Sequence, residues 1–297
     1  MFKMNGVVPP MITPFKANGD VDYDSLKQLV AFLKENVNGL FITGSYGCGA
    51  MMSEDERKSV LETVIKEVGG KIPVIVQVGT TNCKSTVALT KHAVEVGADA
   101  VSAVGPYYYK YEQASICKFY EEIVKAAGGK TAVYVYNNPQ FQGYPMDLKL
   151  ITKLKNEVGV NGIKDATFDI MAHANYMRKL KDDKFDVALG TEAMWLPACV
   201  LGCRAFIPGI GNAFPEICQK MYEEGVAGKI DECRKTQFEV NELRDIMYLA
   251  RSTQLAIYAM LEIRGIIKAY PRAPFIPATD EEKAAIKARL INLGLLK

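Results

Sequence analysis

The sequence predicts a (β/α)8 barrel followed by a C-terminal helical extension. Three observations carry that expectation: eight short apolar runs, a helical segment after each of them, and spacings of roughly 20–35 residues, enough for a right-handed crossover helix between parallel strands. Eight such units favour closure over an open sheet, and about 250 residues is a usual barrel length. Residues 6–15 (GVVPPMITPF) read as the first extended segment, although their prolines weaken a strand, and residues 22–36 carry Leu26, Leu29, Val30 and Leu33 at helical spacing. Residues 39–45 (GLFITGS) form a second strand, after which Ser53 and Glu56 make a capping box that opens a helix to about Val68. The alternation continues with strands at 73–79, 100–104 and 131–137, followed by helices at 85–96, 113–127 and 147–156. Strands at 160–166, 185–190 and 205–210 complete the eight, with helices at 170–180, 194–201 and 215–224. Residues 1–228 therefore form the barrel that carries the active site. Residues 229–297 form an appendix packed on it, helical at 229–250, 253–269 and 280–293 and interrupted by PRAPFIP.

Composition narrows the function classes. Of 297 residues, 49% are hydrophobic and 24% charged, an ordinary globular balance, and a net charge of +2 without long runs of one sign gives no electrostatic case for nucleic acid or an anionic membrane. No apolar run reaches the ~18 residues of a membrane span, and the N-terminal MFKMNGVVPPM has no apolar core with a cleavage site. A cytoplasmic protein with small-molecule partners is the expectation. The seven cysteines, at 48, 83, 117, 199, 203, 218 and 233, include no C-x-x-C pair and suit reduced thiols. Gly128-Gly129-Lys130-Thr131 leads into a strand, the wrong context for a phosphate loop, and Gly47-x-Gly49 and Gly209-x-Gly211 lack the third glycine of a dinucleotide turn. His92 and His173 stand alone, and Cys199-x-x-x-Cys203 has no histidine beside it, so no metal is expected.

The chemistry collects at C-terminal strand ends, the rim where barrel enzymes assemble their sites. In VNGIKDAT, residues 160–167, one lysine, Lys164, stands in a segment otherwise suited to a buried strand. It snorkels to water, pairs with Asp165, or loses its proton; desolvation lowers an amine pKa by up to ~3–5 units, and a neutral amine attacks a ketone to form a Schiff base. Strand two ends in Gly44-Ser45-Tyr46-Gly47, either a plain turn or one that aims backbone N–H groups and a hydroxyl at an anion. Strand four ends in Tyr107-Tyr108-Tyr109, and strand five places Tyr134 and Tyr136 on one face with Tyr136 at the mouth. An amine, a phenol and an anion cradle on neighbouring strands are the parts needed to capture a 2-oxo acid as an imine.

These residues resemble the dihydrodipicolinate synthase and N-acetylneuraminate lyase superfamily of Schiff-base aldolases. The likeness rests on Thr13-Pro14-Phe15, Gly44-Ser45-Tyr46-Gly47, Pro106-Tyr107-Tyr108, Tyr136-Asn137-x-Pro139 and Gly162-Ile163-Lys164-Asp165. It implies that Lys164 forms the imine with pyruvate or another 2-oxo acid, that the Ser45 and Tyr46 backbone holds the carboxylate, and that Tyr136 shuttles protons. It also implies that Ser45 links Tyr136 to a Tyr108 arriving from a neighbouring subunit, in a homotetramer of two tight dimers, with no cofactor beyond the lysine imine.

The substrate-binding expectation takes in Ser45, Tyr46, Phe141, Gly190, Glu192 and Ile207. Departures from the family pattern bear on the second substrate. Tyr46 stands where a small residue is usual and Cys48 where Glu is usual. Phe141 occupies the position of the arginine that receives the synthase's aldehyde substrate, and Glu192-Ala193 retains one acid of the lyase's pair. The expected activity is a class I lyase or aldolase that makes or cleaves a carbon–carbon bond between a 2-oxo acid and an undetermined aldehyde. The alternatives are dihydrodipicolinate synthase itself, a 2-keto-3-deoxy sugar acid dehydratase using the same imine, and a non-catalytic 2-oxo-acid-binding barrel.

Overall fold

The computed structural model describes residues 2–296. Eight parallel strands, β1 (Gly6–Val7), β2 (Leu40–Ile42), β3 (Val74–Gln77), β4 (Ala100–Val104), β5 (Ala132–Asn137), β6 (Gly162–Asp165), β7 (Asp186–Leu189) and β8 (Ala205–Phe206), pair in the order β1-β8-β7-β6-β5-β4-β3-β2. The expected (β/α)8 fold is therefore present. Its last seam closes without a regular ladder: Phe41 donates its N–H to the Pro9 carbonyl at 3.0 Å, and Met11 donates to the Phe41 carbonyl at 2.9 Å. The first strand was expected over residues 6–15. It shrinks to two residues because Pro9 and Pro10 have no N–H to give a ladder.

The helices that follow the strands are α1 (Tyr23–Leu33), α2 (Glu54–Val68), α3 (Cys83–Glu95), α4 (Gln113–Ala127), α5 (Pro139–Gln142), α6 (Leu148–Lys153), α7 (Ile170–Lys179), α8 (Trp195–Val200) and α9 (Pro215–Val226). The capping box of α2 is present in both directions, Ser53 Oγ accepting from the Glu56 N–H and the Glu56 carboxylate from the Ser53 N–H. The single turn α5 was not expected; Asn138 caps it and Pro139 opens it. Beyond the barrel lie α10 (Ile230–Ile246), α11 (Thr253–Ile263) and α12 (Asp280–Asn292). Helix α11 ends earlier than residue 269, at a Gly265 that adopts φ +69°.

Alternation sorts the strand residues into two packed layers. Val8, Phe41, Ile75, Ala100, Val104, Tyr134, Tyr136, Ala188 and Ile207 fill the barrel interior, while Val133, Val135, Ile163 and Val187 face the helices. Tyr134 closes the end opposite the site, donating to Asp186 Oδ2 at 2.9 Å. Small residues leave it room: an ideal Cβ at Gly162 would lie 2.4 Å from its ring.

A buried asparagine ties the proline-rich first segment to the turn after β8. Asn212 Oδ1 accepts from the Ile12 N–H at 3.0 Å, and its Nδ2 donates to the Pro10 and Gly209 carbonyls at 3.1 and 2.9 Å. Its replacement by an apolar side chain of similar size strands two buried backbone groups, the Ile12 N–H and the Pro10 carbonyl, while the Gly209 carbonyl keeps the backbone N–H of position 212; each stranded group costs about 1–3 kcal/mol. Asn212→Leu is therefore expected to lower the unfolding free energy in urea by at least about 2 kcal/mol. A change within about 0.5 kcal/mol, the usual range for a neutral surface site, would show that the bridge is dispensable.

Candidate active site

Lys164 lies on β6 in register with Tyr136 of β5 and Ala188 of β7, and like them it points into the barrel. Period-two alternation turns its neighbour Asp165 to the other face of the sheet, where Oδ2 lies 3.0 Å from Nδ1 of the buried His173. The pairing of Lys164 with Asp165, one of the three options open in the sequence, is thereby removed. It also explains His173, which looks isolated in the sequence. The Lys164 ammonium position is 3.8 Å from the centroid of the Phe41 ring and 3.9 Å from that of Tyr136. An aromatic face returns about 0.5–2 kcal/mol to a cation, against a desolvation cost of several kcal/mol per buried ion. Burial accordingly pulls the Lys164 amine down to about 7, with no charged neighbour opposing it.

Tyr136 is fixed at its hydroxyl and its ring. The hydroxyl lies 3.0 Å from Ser45 Oγ and accepts from Asn138 Nδ2 at 3.2 Å; the ring meets Phe41 edge-on at 5.8 Å. Burial raises its pKa, with Ser45 and Asn138 acting in the opposite sense, so the phenol stays protonated at neutral pH.

The turn after β2 is held from several sides. Thr43 and Cys48 adopt φ +52° and +53°, and Gly49 is obligatory because an ideal Cβ there would lie 1.9 Å from the Thr43 carbonyl oxygen. Thr13 Oγ1 donates to the Gly47 carbonyl at 2.7 Å, and Gln254 of α11 donates to the Ser45 carbonyl at 3.0 Å. The Ser45 and Tyr46 amides donate to no protein group among the described residues. Tyr46 donates its hydroxyl to Thr253 Oγ1 at 2.9 Å and overlies Gly209, where an ideal Cβ would lie 2.5 Å from that oxygen. Cys48 is buried and its thiol pushed up to about 11 by desolvation, far from a reactive thiolate.

One cavity of about 380 Å³ joins these groups at the C-terminal mouth. Ser45, Tyr46, Tyr136, Phe141, Lys164, Gly190, Glu192 and Ile207 all line it. Gly190 allows close approach, since a Cβ there would stand 2.6 Å from the Asp165 carbonyl oxygen. Tyr108 does not line the cavity; it is 84% exposed with φ +80°. Residues that sequence reasoning missed complete the wall: Phe168 after β6, and Arg244, Tyr248 and Thr253 from the C-terminal segment. The loop after β5 presents Phe141, as expected, yet the cavity does contain an arginine. Asn138 had a signal, being two residues from Tyr136 in the same motif; a single arginine on an amphipathic helix had none.

A parallel barrel whose C-terminal mouth holds the one buried lysine among the described residues has the form of a class I carbon–carbon lyase. The chain belongs to the dihydrodipicolinate synthetase family, which it matches over residues 3–293, and its activity is of the class I aldolase type that the family comprises. It is 32% identical to a 4-hydroxy-tetrahydrodipicolinate synthase of Desulfotalea psychrophila, over 100% of this chain and 99% of that one. A catalytic-lysine mutant of Ruminococcus gnavus sialic acid aldolase superposes with a TM-score of 0.92 at 27% identity, covering 98% and 95% of the two chains. YagE, a prophage protein of the dihydrodipicolinic acid synthase family from E. coli K12, superposes with a TM-score of 0.93 at 24% identity over 99% of each chain.

The lowered amine pKa gives the site a defined pH response. The neutral fraction of Lys164 grows about tenfold per unit below its pKa and saturates above it. The rate at which cyanoborohydride traps a pyruvate adduct is expected to rise with pH up to about 7 and then level off. A rate still climbing tenfold per unit at about pH 9 would mark an ordinary lysine.

Proposed function

We propose that this enzyme holds pyruvate or a related 2-oxo acid as an imine on Lys164 and uses the derived enamine to make or cleave a carbon–carbon bond with an aldehyde. The observation that carries the proposal is the Lys164 amine, facing the cavity between Phe41 and Tyr136 with burial as the cause of its lowered pKa. Support also comes from the R. gnavus sialic acid aldolase, whose catalytic residue is a lysine.

The neutral Nζ adds to the C2 carbonyl, and the resulting carbinolamine loses water to give the imine. Loss of a C3 proton yields the enamine, with the imine nitrogen as electron sink. C3 then attacks the aldehyde carbon while the aldehyde oxygen takes up a proton, and water hydrolyses the product imine to restore the amine. Tyr136 passes these protons through the Ser45 hydroxyl 3.0 Å away, and the Ser45 and Tyr46 amides receive the carboxylate. Exposed Tyr108 is the group that would reach Ser45 of a second copy, in a homotetramer built from two dimers.

Enamine formation can be tested without knowing the aldehyde. In D2O the wild type is expected to exchange the methyl protons of pyruvate, followed by NMR. Lys164→Ala should abolish exchange, and Tyr136→Phe should slow it by roughly 10²–10⁴-fold. Exchange at the wild-type rate in Lys164→Ala would overturn the proposal; an effect below about threefold in Tyr136→Phe would remove the phenol from proton transfer.

A further inference from the structure

Away from Lys164 the cavity wall is built around a guanidinium supplied by the C-terminal segment. Arg244 of α10 donates Nη1–H to Glu192 Oε1 at 2.7 Å and Nη2–H to the Tyr248 hydroxyl at 3.0 Å. The rings of Phe168 and Tyr248 lie 5.4 and 5.8 Å from its central carbon. The two members of the ion pair are not equally available. Glu192 has a side chain 2% exposed and spends its second oxygen on the Gly209 N–H at 3.0 Å, whereas the Arg244 side chain is 18% exposed. Of the five N–H donors of a guanidinium, these bonds use two. The face offered to a ligand is therefore a donor face. Glu192 holds the fork in place and is not itself presented.

We propose that Arg244 selects the second substrate, receiving a single carboxylate at the far end of an aldehyde that carries no ammonium group. The proposal rests on the reading of this cavity as an aldol site and adds the chemistry of the aldehyde. A carboxylate fits because a guanidinium fork accepts it in bidentate geometry. A phosphate fits poorly: among the described residues Arg244 and Lys164 are the only cationic side chains on the cavity wall, Lys164 is committed to the 2-oxo acid, and Glu192 already offsets the charge of Arg244. An ammonium group finds no exposed charged partner among the described residues, since Glu192 is the one carboxylate on that wall, its side chain is 2% exposed, and each of its oxygens already accepts a hydrogen bond. Recognition would thus come from the helical extension and not from the loop after β5, where Phe141 stands.

The test measures pyruvate consumption with four aldehydes: succinic semialdehyde, its uncharged four-carbon counterpart butanal, aspartate semialdehyde and glyceraldehyde 3-phosphate. For the wild type, kcat/KM is expected to favour succinic semialdehyde over butanal by about tenfold or more, the value of one charge-assisted hydrogen bond. It should also exceed the values for the amino and phosphate aldehydes. In Arg244→Met the ratio of succinic semialdehyde to butanal should fall towards one, and Arg244→Lys should restore part of it. A wild-type ratio near one, or an unchanged ratio in Arg244→Met, overturns the proposal. Preference for aspartate semialdehyde or for the phosphate overturns the assigned class. If Arg244→Met does not fold, the wild-type ratios and Arg244→Lys carry the test. Absence of pyruvate methyl exchange in the wild type would instead refute the aldol reading, and exchange with a flat aldehyde profile would refute this inference alone.

Discussion

A primary amine is kept at the centre of this barrel without a carboxylate to balance it. Lys164 lies between the faces of Phe41 and Tyr136, and the nearest acid in sequence, Asp165, is turned through the sheet to His173. Desolvation then does what no general base is needed to do: it leaves a substantial neutral fraction at physiological pH. The arrangement depends on alternation along β6, on Phe41 and Tyr136 being interior residues of β2 and β5, and on the closed ring of strands that keeps bulk water out. A carboxylate introduced beside Lys164 would restore the charge and cost the amine its nucleophilicity.

The C-terminal helices are part of this machinery as well as a cover for the barrel. Gln254 pins the Ser45 carbonyl, Thr253 takes the Tyr46 hydroxyl, and Arg244 and Tyr248 form part of the cavity wall. The turn that presents the Ser45 and Tyr46 amides is strained at Thr43 and Cys48, and contacts from Thr13 and Gln254 help to hold it. Strain of this kind persists where surrounding structure over-determines it, so the extension stabilises the turn whose Ser45 and Tyr46 amides are proposed to receive the carboxylate.

What could be read from the chain follows from which signals are local. Eight apolar runs and the helices between them need only near-neighbour periodicity, and the Ser53–Glu56 box is complete within one turn. Strand extents were less legible because pairing depends on the partner: residues after Val7 lose their ladder at Pro9 and Pro10, and the eighth strand stops at Phe206 before the turn at Ile210–Asn212. The motifs around Ser45, Tyr136 and Lys164 were visible because each places a polar group at the end of an apolar run. Phe41 was hidden as one apolar residue among many, although it is half of the amine's surroundings. Arg244 was hidden more completely: on the surface of an amphipathic helix an arginine resembles any solvated charge, and only the tertiary fold brings it 2.7 Å from Glu192, 52 positions away in the sequence.

The central claim is that the buried amine of Lys164 is the nucleophile, and its most direct test is to reduce the enzyme with borohydride in the presence of pyruvate and map the modified peptide by mass spectrometry. A single reduced pyruvate on Lys164, absent from Lys164→Ala, is the expected result. An adduct on a different lysine, or undiminished labelling of the Lys164→Ala protein, would contradict the account.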